Sequence, residues 1–93
     1  MNEIVEFFRV GGKVRIRGNP VFADGITGKI DYPPEDAVLS QEFGDNFFRK
    51  VLTQTGMKIF IWVVFDAPHF DADGYGPYYE TEIDSDFLEI INE

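Results

Sequence analysis

The stretch His69–Glu80, HFDADGYGPYYE, gathers the side chains of this chain with the most chemical potential. Against a twelve-residue calcium loop, Asp71 and Asp73 fall at positions 3 and 5, Gly74 at position 6 and Glu80 at position 12. Hard oxygen ligands at that spacing converge on a divalent cation around a sharp glycine turn. Position 1 is His69, a poor calcium ligand, Pro77 occupies position 9, and both flanks read as strands rather than helices. Ion binding through Asp71, Asp73 and Glu80 is thus the alternative expectation. Asp-Gly turn chemistry on a solvated loop is the first.

His69 is the only histidine. General-base work needs a reacting partner and an orienting group, and Asp66 or Asp71 stands near enough in sequence for the second role. No serine sits in a nucleophile elbow; Ser40 and Ser85 read as ordinary helix or turn residues. Glu80, Glu82, Asp84 and Asp86 recur at every second position and share one face of an extended strand. Paired carboxylates hydrolyse glycosides only where a pocket raises one pKa, and nothing here signals such a pocket. The row reads as a solvated strand edge that discourages aggregation. Gly11-Gly12 and Gly74-x-Gly76 are too sparse for a phosphate loop. The expectation is a protein that is not an enzyme and has no cofactor.

Five aromatic residues, Tyr32, Phe70, Tyr75, Tyr78 and Tyr79, cluster in segments that read as loops. Loop aromatics beside acids either cap the open ends of a small barrel or line a shallow groove for an extended or proline-rich peptide. These five are the candidate docking residues.

Charge narrows the partner. The formal net charge is −9, and nine acids with no base fill the stretch Phe65–Glu93. Nucleic acid is not an expected partner, because its binding draws on Lys and Arg. Arg9, Lys13, Arg15, Arg17 and Lys29 lie in the first third, so the basic and acidic thirds either neutralise each other across one sheet or leave a polar docking surface. The absence of cysteine excludes disulfides, thiolate metal sites and cysteine nucleophiles, and fits a cytoplasmic protein. MNEIVEFFRVGG has two early acids and no basic region before an apolar core, unlike a secretory signal. No apolar run is long enough to span a membrane.

The element that must position these residues is Lys58–Asp66, KIFIWVVFD, whose unbroken apolarity predicts a central strand covered on both faces and ended by Asp66 and Pro68. Trp62 belongs to its core, its indole N–H finding a local acceptor. Glu3–Val10 is ambiguous between helix and strand. Lys13–Arg17 alternates as a half-buried strand, and Ile26–Ile30 is a second, with Gly28 marking a bend or a close backbone approach. Pro34-Glu35-Asp36 predicts the start of a short helix that runs through Phe43 and ends at Gly44. Phe47–Gln54 has either period, and Thr55-Gly56 favours a hairpin into the central strand. Glu80–Ile83 and Phe87–Ile91 complete a mainly β chain of short strands.

The succession Gly12-Lys13-Val14-Arg15-Ile16, Gly25-x-x-Gly28-x-Ile30, Val63-Val64-Phe65-Asp66, Glu82-Ile83-Asp84 and Phe87-Leu88-Glu89 resembles the SH3-like barrels of the electron-transport accessory class. That class includes the small barrel protein of photosystem I, the variable chain of ferredoxin–thioredoxin reductase and the barrel of the nitrile hydratase β chain. The resemblance implies one small antiparallel barrel over residues 1–93. The chain departs from the small members by Asp31–Met57, read as a short helix and a hairpin arm inserted between barrel strands, and by the acidic loop after Asp66. It implies no functional residues. Function stays open at this level, and the leading expectation is a non-catalytic interaction or accessory domain that docks a protein partner through acidic, tyrosine-rich loops. The alternatives are a divalent-ion-responsive module through residues 69–80 and an RNA- or ribosome-associated barrel of the KOW kind, which Arg9, Lys13, Arg15 and Arg17 would serve.

Overall fold

β4, Gly56–His69, is the strand on which the other elements are hung. The computed structural model describes residues 7–91, so the first half of the ambiguous segment Glu3–Val10 lies outside the described residues, and no strand is formed in the rest. Along β4 the side chains alternate. Ile59, Ile61, Val63 and Phe65 enter the core, with Ile61 fully buried. Phe60, Trp62 and Val64 take the other face, which is covered as well. The Phe43 ring meets Trp62 edge-on at 5.7 Å, and the Arg49 guanidinium lies 5.1 Å from the centre of the Phe60 ring. Two covered faces are why the run is apolar throughout.

The sheet is a curled antiparallel half-barrel with the order β3–β4–β2–β1–β6, and β5 pairs with β4. The other strands are β1 (Lys13–Ile16), β2 (Thr27–Ile30), β3 (Phe48–Thr53), β5 (Tyr78–Asp84) and β6 (Leu88–Ile90). A single 3-10 turn, Ser85–Phe87, links the last two. Val14 and Ile16 of β1, Ile30 of β2 and Ile83 of β5 meet the β4 row in the core, with Phe8, Phe22 and Ile26 closing it.

β2 and β3 share one edge of β4. Gly28–Ile30 pair with Phe65–Val63, and Phe48–Thr53 pair with Ile61–Gly56. Trp62 is the seam: its carbonyl accepts the Asp31 N–H at 3.2 Å, and its N–H donates to the Phe47 carbonyl at 2.9 Å. Both polar groups of one strand residue point to the same side. The chain therefore leaves the β4 edge after Asp31 and rejoins it at Phe47, and the excursion between them folds over Trp62. β3 and β4 form the hairpin expected from Thr55-Gly56, through the two-residue turn Gln54-Thr55.

Three local expectations are corrected. β4 does not end at Asp66 but runs through Pro68 to His69. Its ladder with β5 is irregular between Val64 and His69, so the N–H that Pro68 lacks is not needed there. The helix expected from Pro34 is reduced to the single turn α1, Ser40–Phe43. Before it run separate turns, Ala37 N–H to Pro34 carbonyl and Ser40 N–H to Ala37 carbonyl, both at 3.0 Å. Val38, 96% exposed, shows that this segment has no apolar stripe to bury as a longer helix would. Third, β5 starts at Tyr78 rather than Glu80, which takes Tyr78 and Tyr79 out of the loop.

The basic and acidic thirds do neutralise each other across the sheet. Arg15 stands opposite Glu89 in the β1–β6 ladder and bonds it at 3.0 Å, while Arg17 approaches the same carboxylate at 3.5 Å. The acidic row of β5 is likewise not a solvated edge. Glu80 accepts the Trp62 indole N–H at 2.8 Å, Glu82 holds Arg49 by two bonds of 2.6 and 2.9 Å, and Asp84 lies 3.5 Å from the Lys58 ammonium. Asp86 bonds Lys58 at 3.0 Å, and this bond first, then the charge of Asp84, raises the Lys58 pKa. The row fastens the hairpin arm to β5. Arg49 and Glu82 each keep only 18% side-chain exposure, so Arg49→Ala leaves a poorly solvated carboxylate. The expected loss is about 2 kcal/mol, read from the urea midpoint, with part recovered when Glu82→Gln is added.

Candidate docking surface

Two loops meet at the β5 end of β4. In the first, residues 70–77, the Asp71 carboxylate is the organiser. Its Oδ1 accepts the N–H groups of Asp73 and Tyr75 at 3.0 and 2.9 Å, and its Oδ2 accepts the Tyr78 hydroxyl at 3.1 Å. The Asp71 and Tyr75 backbones add a bond of 3.0 Å. This is the Asp-Gly turn chemistry expected of the loop. In the second, between β1 and β2, Asn19 Oδ1 accepts the N–H groups of Val21 and Phe22 at 2.7 and 3.0 Å, and Asp24 Oδ1 accepts that of Gly18 at 2.7 Å. That turn drives Phe22 inward, where its ring packs edge-on against Phe65 and Tyr78 at 5.3 and 5.4 Å. The Ala72 N–H donates to the Val21 carbonyl at 2.7 Å and ties the loops together.

The five candidate aromatics separate into three groups. Phe70 and Tyr75 are exposed on the first loop and Tyr79 on adjoining β5, with Val21 exposed on the second loop. Tyr78 is half-buried against Phe22, because the register shift before His69 turns it, rather than Tyr79, toward the core. Its phenol pKa is raised, chiefly by the bond to Asp71 and then by desolvation. A raised folded-state value means that the neutral phenol's contribution is full below the unfolded pKa of about 10 and lost as pH climbs through the folded one. The tyrosinate absorbance removed by Tyr78→Phe is therefore expected at higher pH in folded than in urea-unfolded protein. Tyr32 belongs elsewhere. It follows Asp31, which docks at Trp62, four β5 positions along the ladder from the His69–Tyr78 pair, so it lies apart from Phe70 along the sheet.

Clefts of about 390 and 300 Å3 flank Asn19–Phe22 on either side, the larger floored by Phe60, Ile83 and Phe87, the smaller walled by Phe70 and Ala72. The acids that line them are Glu82 and Asp84 in the larger and Asp71 in the smaller, and Asp24 and Asp73 lie farther along the same two loops. Sequence reasoning missed Pro20, Val21 and Phe22; the signal was an apolar pair directly after the Asn19-Pro20 turn in an otherwise polar loop.

The three candidate ion ligands are not brought together. Asp71 is engaged by its own loop, and Glu80 is bonded to Trp62 on the second face of β4. No group of three or more His, Cys, Asp or Glu among the described residues converges in a way that could hold a metal ion. His69 is half-buried with its ring 5.8 Å from that of Phe65. Among the described residues no helix is long and apolar enough to cross a membrane. Asp71→Ala is expected to cost about 1 kcal/mol and to raise the fast backbone motion of residues 72–76 in NMR relaxation, whereas exposed Asp73→Ala changes stability by less than about 0.5 kcal/mol.

Comparison with known protein families, curated proteins and solved structures finds no match to this chain.

Proposed function

We propose that this chain is a non-catalytic interaction domain of the SH3-like barrel class that docks a protein partner through its two joined loops. The strand order supports the class: β1, β2, β4 and β5 in succession, a 3-10 turn, then β6 returning to pair with β1. The observation that carries the function is the surface of Val21, Phe70, Tyr75 and Tyr79, which is 46–69% exposed and interleaved with Asp24, Asp71 and Asp73. Aromatic side chains supply contact area at low entropic cost, and the carboxylates steer a basic partner into register. The loops are braced by their own hydrogen bonds, so little ordering is left for binding to accomplish.

The test is affinity capture from the native cell with immobilised protein. The Phe70→Ser/Tyr75→Ser double variant is expected to retain roughly a tenth or less of the captured partner, and Val38→Ser, still more exposed but outside the two loops, to retain all of it. Equal capture by the double variant would remove the loops from the proposal.

A further inference from the structure

We propose that β3 is a second, separate interaction element, through which two copies of this chain pair edge to edge in antiparallel register. Among the described residues β3 ends the strand order and pairs only with β4. Phe47 accepts the Trp62 N–H, so Phe47, Arg49, Val51 and Thr53 turn their backbone groups to β4. By the alternation of an antiparallel ladder, Phe48, Lys50 and Leu52 present their N–H and C=O groups outward. Beyond Ile59 the arm also outruns the core. Leu52 and Met57 stand directly opposite each other in the hairpin and are 78% and 53% exposed.

The charge pattern selects a second copy as the occupant. The stretch between Asp45 and Asp66 has no acid, on a chain of formal charge −9, so two copies meet there with the least repulsion. Arg49 and Lys58 are already held by Glu82 and by Asp84 with Asp86, which leaves Lys50 as the base of the arm without an ion pair among the described residues. A register centred on Val51 satisfies these constraints. With Val51 facing Val51 of the second copy in a close, non-hydrogen-bonded pair, Lys50 and Leu52 face each other twice, and these are hydrogen-bonded pairs. The lysine stems then lie along the leucines, and no like charges stand directly opposite.

That register makes a prediction that long-range charge does not. Leu52→Lys makes the protein one charge less acidic than its formal −9 but sets lysine opposite lysine twice. Leu52→Glu makes it one charge more acidic and sets glutamate opposite lysine twice. Leu52 is exposed, so neither change threatens the fold. Sedimentation equilibrium from ~10 μM to ~1 mM is expected to show self-association of the wild type. Leu52→Lys should weaken it roughly tenfold, and Leu52→Glu should leave it as tight or tighter. The Lys50 and Leu52 amides should gain hydrogen-exchange protection as concentration rises. A wild type that stays monomeric over this range overturns the proposal, as does a Leu52→Lys variant that associates as tightly as Leu52→Glu.

Discussion

Val63→Asp is expected to leave no cooperative unfolding transition. Val63 is 1% exposed at the middle of β4, between core residues Ile61 and Phe65. A carboxylate there has no cationic neighbour, and whether it stays charged or takes up a proton the penalty is at least about 4 kcal/mol. A domain of this length holds only about 5–15 kcal/mol in total. The matching control is Val64→Asp. Val64 is half-buried on the second face, where it stands opposite Lys29 of β2 and Glu80 of β5. One favourable and one unfavourable neighbour make that site far more tolerant, and a cooperative melt with a lowered midpoint is expected. The pair is read by urea denaturation with near-ultraviolet circular dichroism. Equal loss of both transitions would contradict the alternation along β4.

Gly28→Ala should cost about 3 kcal/mol although it adds a single methyl group. Gly28 pairs with Phe65, and β2 crosses β4 so closely that an alanine Cβ would press into the Val64 carbonyl oxygen and lie 2.8 Å from Val63 Cγ1. Those atoms belong to the buried middle of β4 and have little room to yield. Gly25, three residues earlier, is the comparison. Its φ of +90° favours glycine, but a Cβ there would meet nothing within 4 Å, so Gly25→Ala carries only backbone strain of about 1 kcal/mol. A Gly28→Ala protein as stable as the Gly25→Ala protein would mean that the strands separate at this crossing without penalty.

Several of these features are legible in the residues themselves. KIFIWVVFD announces a strand covered on two faces, KVRIR alternates as β1 does, and Gly28 within an apolar strand points to a close approach. The basic and acidic thirds anticipate the pairing of Arg15 and Arg17 with Glu89. What is not legible depends on distant partners. Glu80, Glu82 and Asp84 read as a solvated row until the hairpin brings Arg49 and Lys58 beside them, and that hairpin is set by a seam at Trp62 that no local pattern encodes. Tyr78 and Tyr79 exchange inward and outward roles through a register shift that lies between Val64 and His69. Tyr32 shares composition with the other aromatics but not position. Phe22 reaches the core only because the Asn19 side chain turns the backbone ahead of it.

Tyr32 also supplies the sharpest test of the docking surface, being an exposed aromatic beside an acid at another place along the sheet. Photo-crosslinking amino acids placed singly at Tyr75 and at Tyr32, with irradiation in the native cell, report which end of the molecule meets a partner. The proposal expects a discrete crosslinked protein from position 75, diminished by high salt during irradiation of lysate, and none from position 32. The same adduct from position 32, or none from position 75, would contradict it.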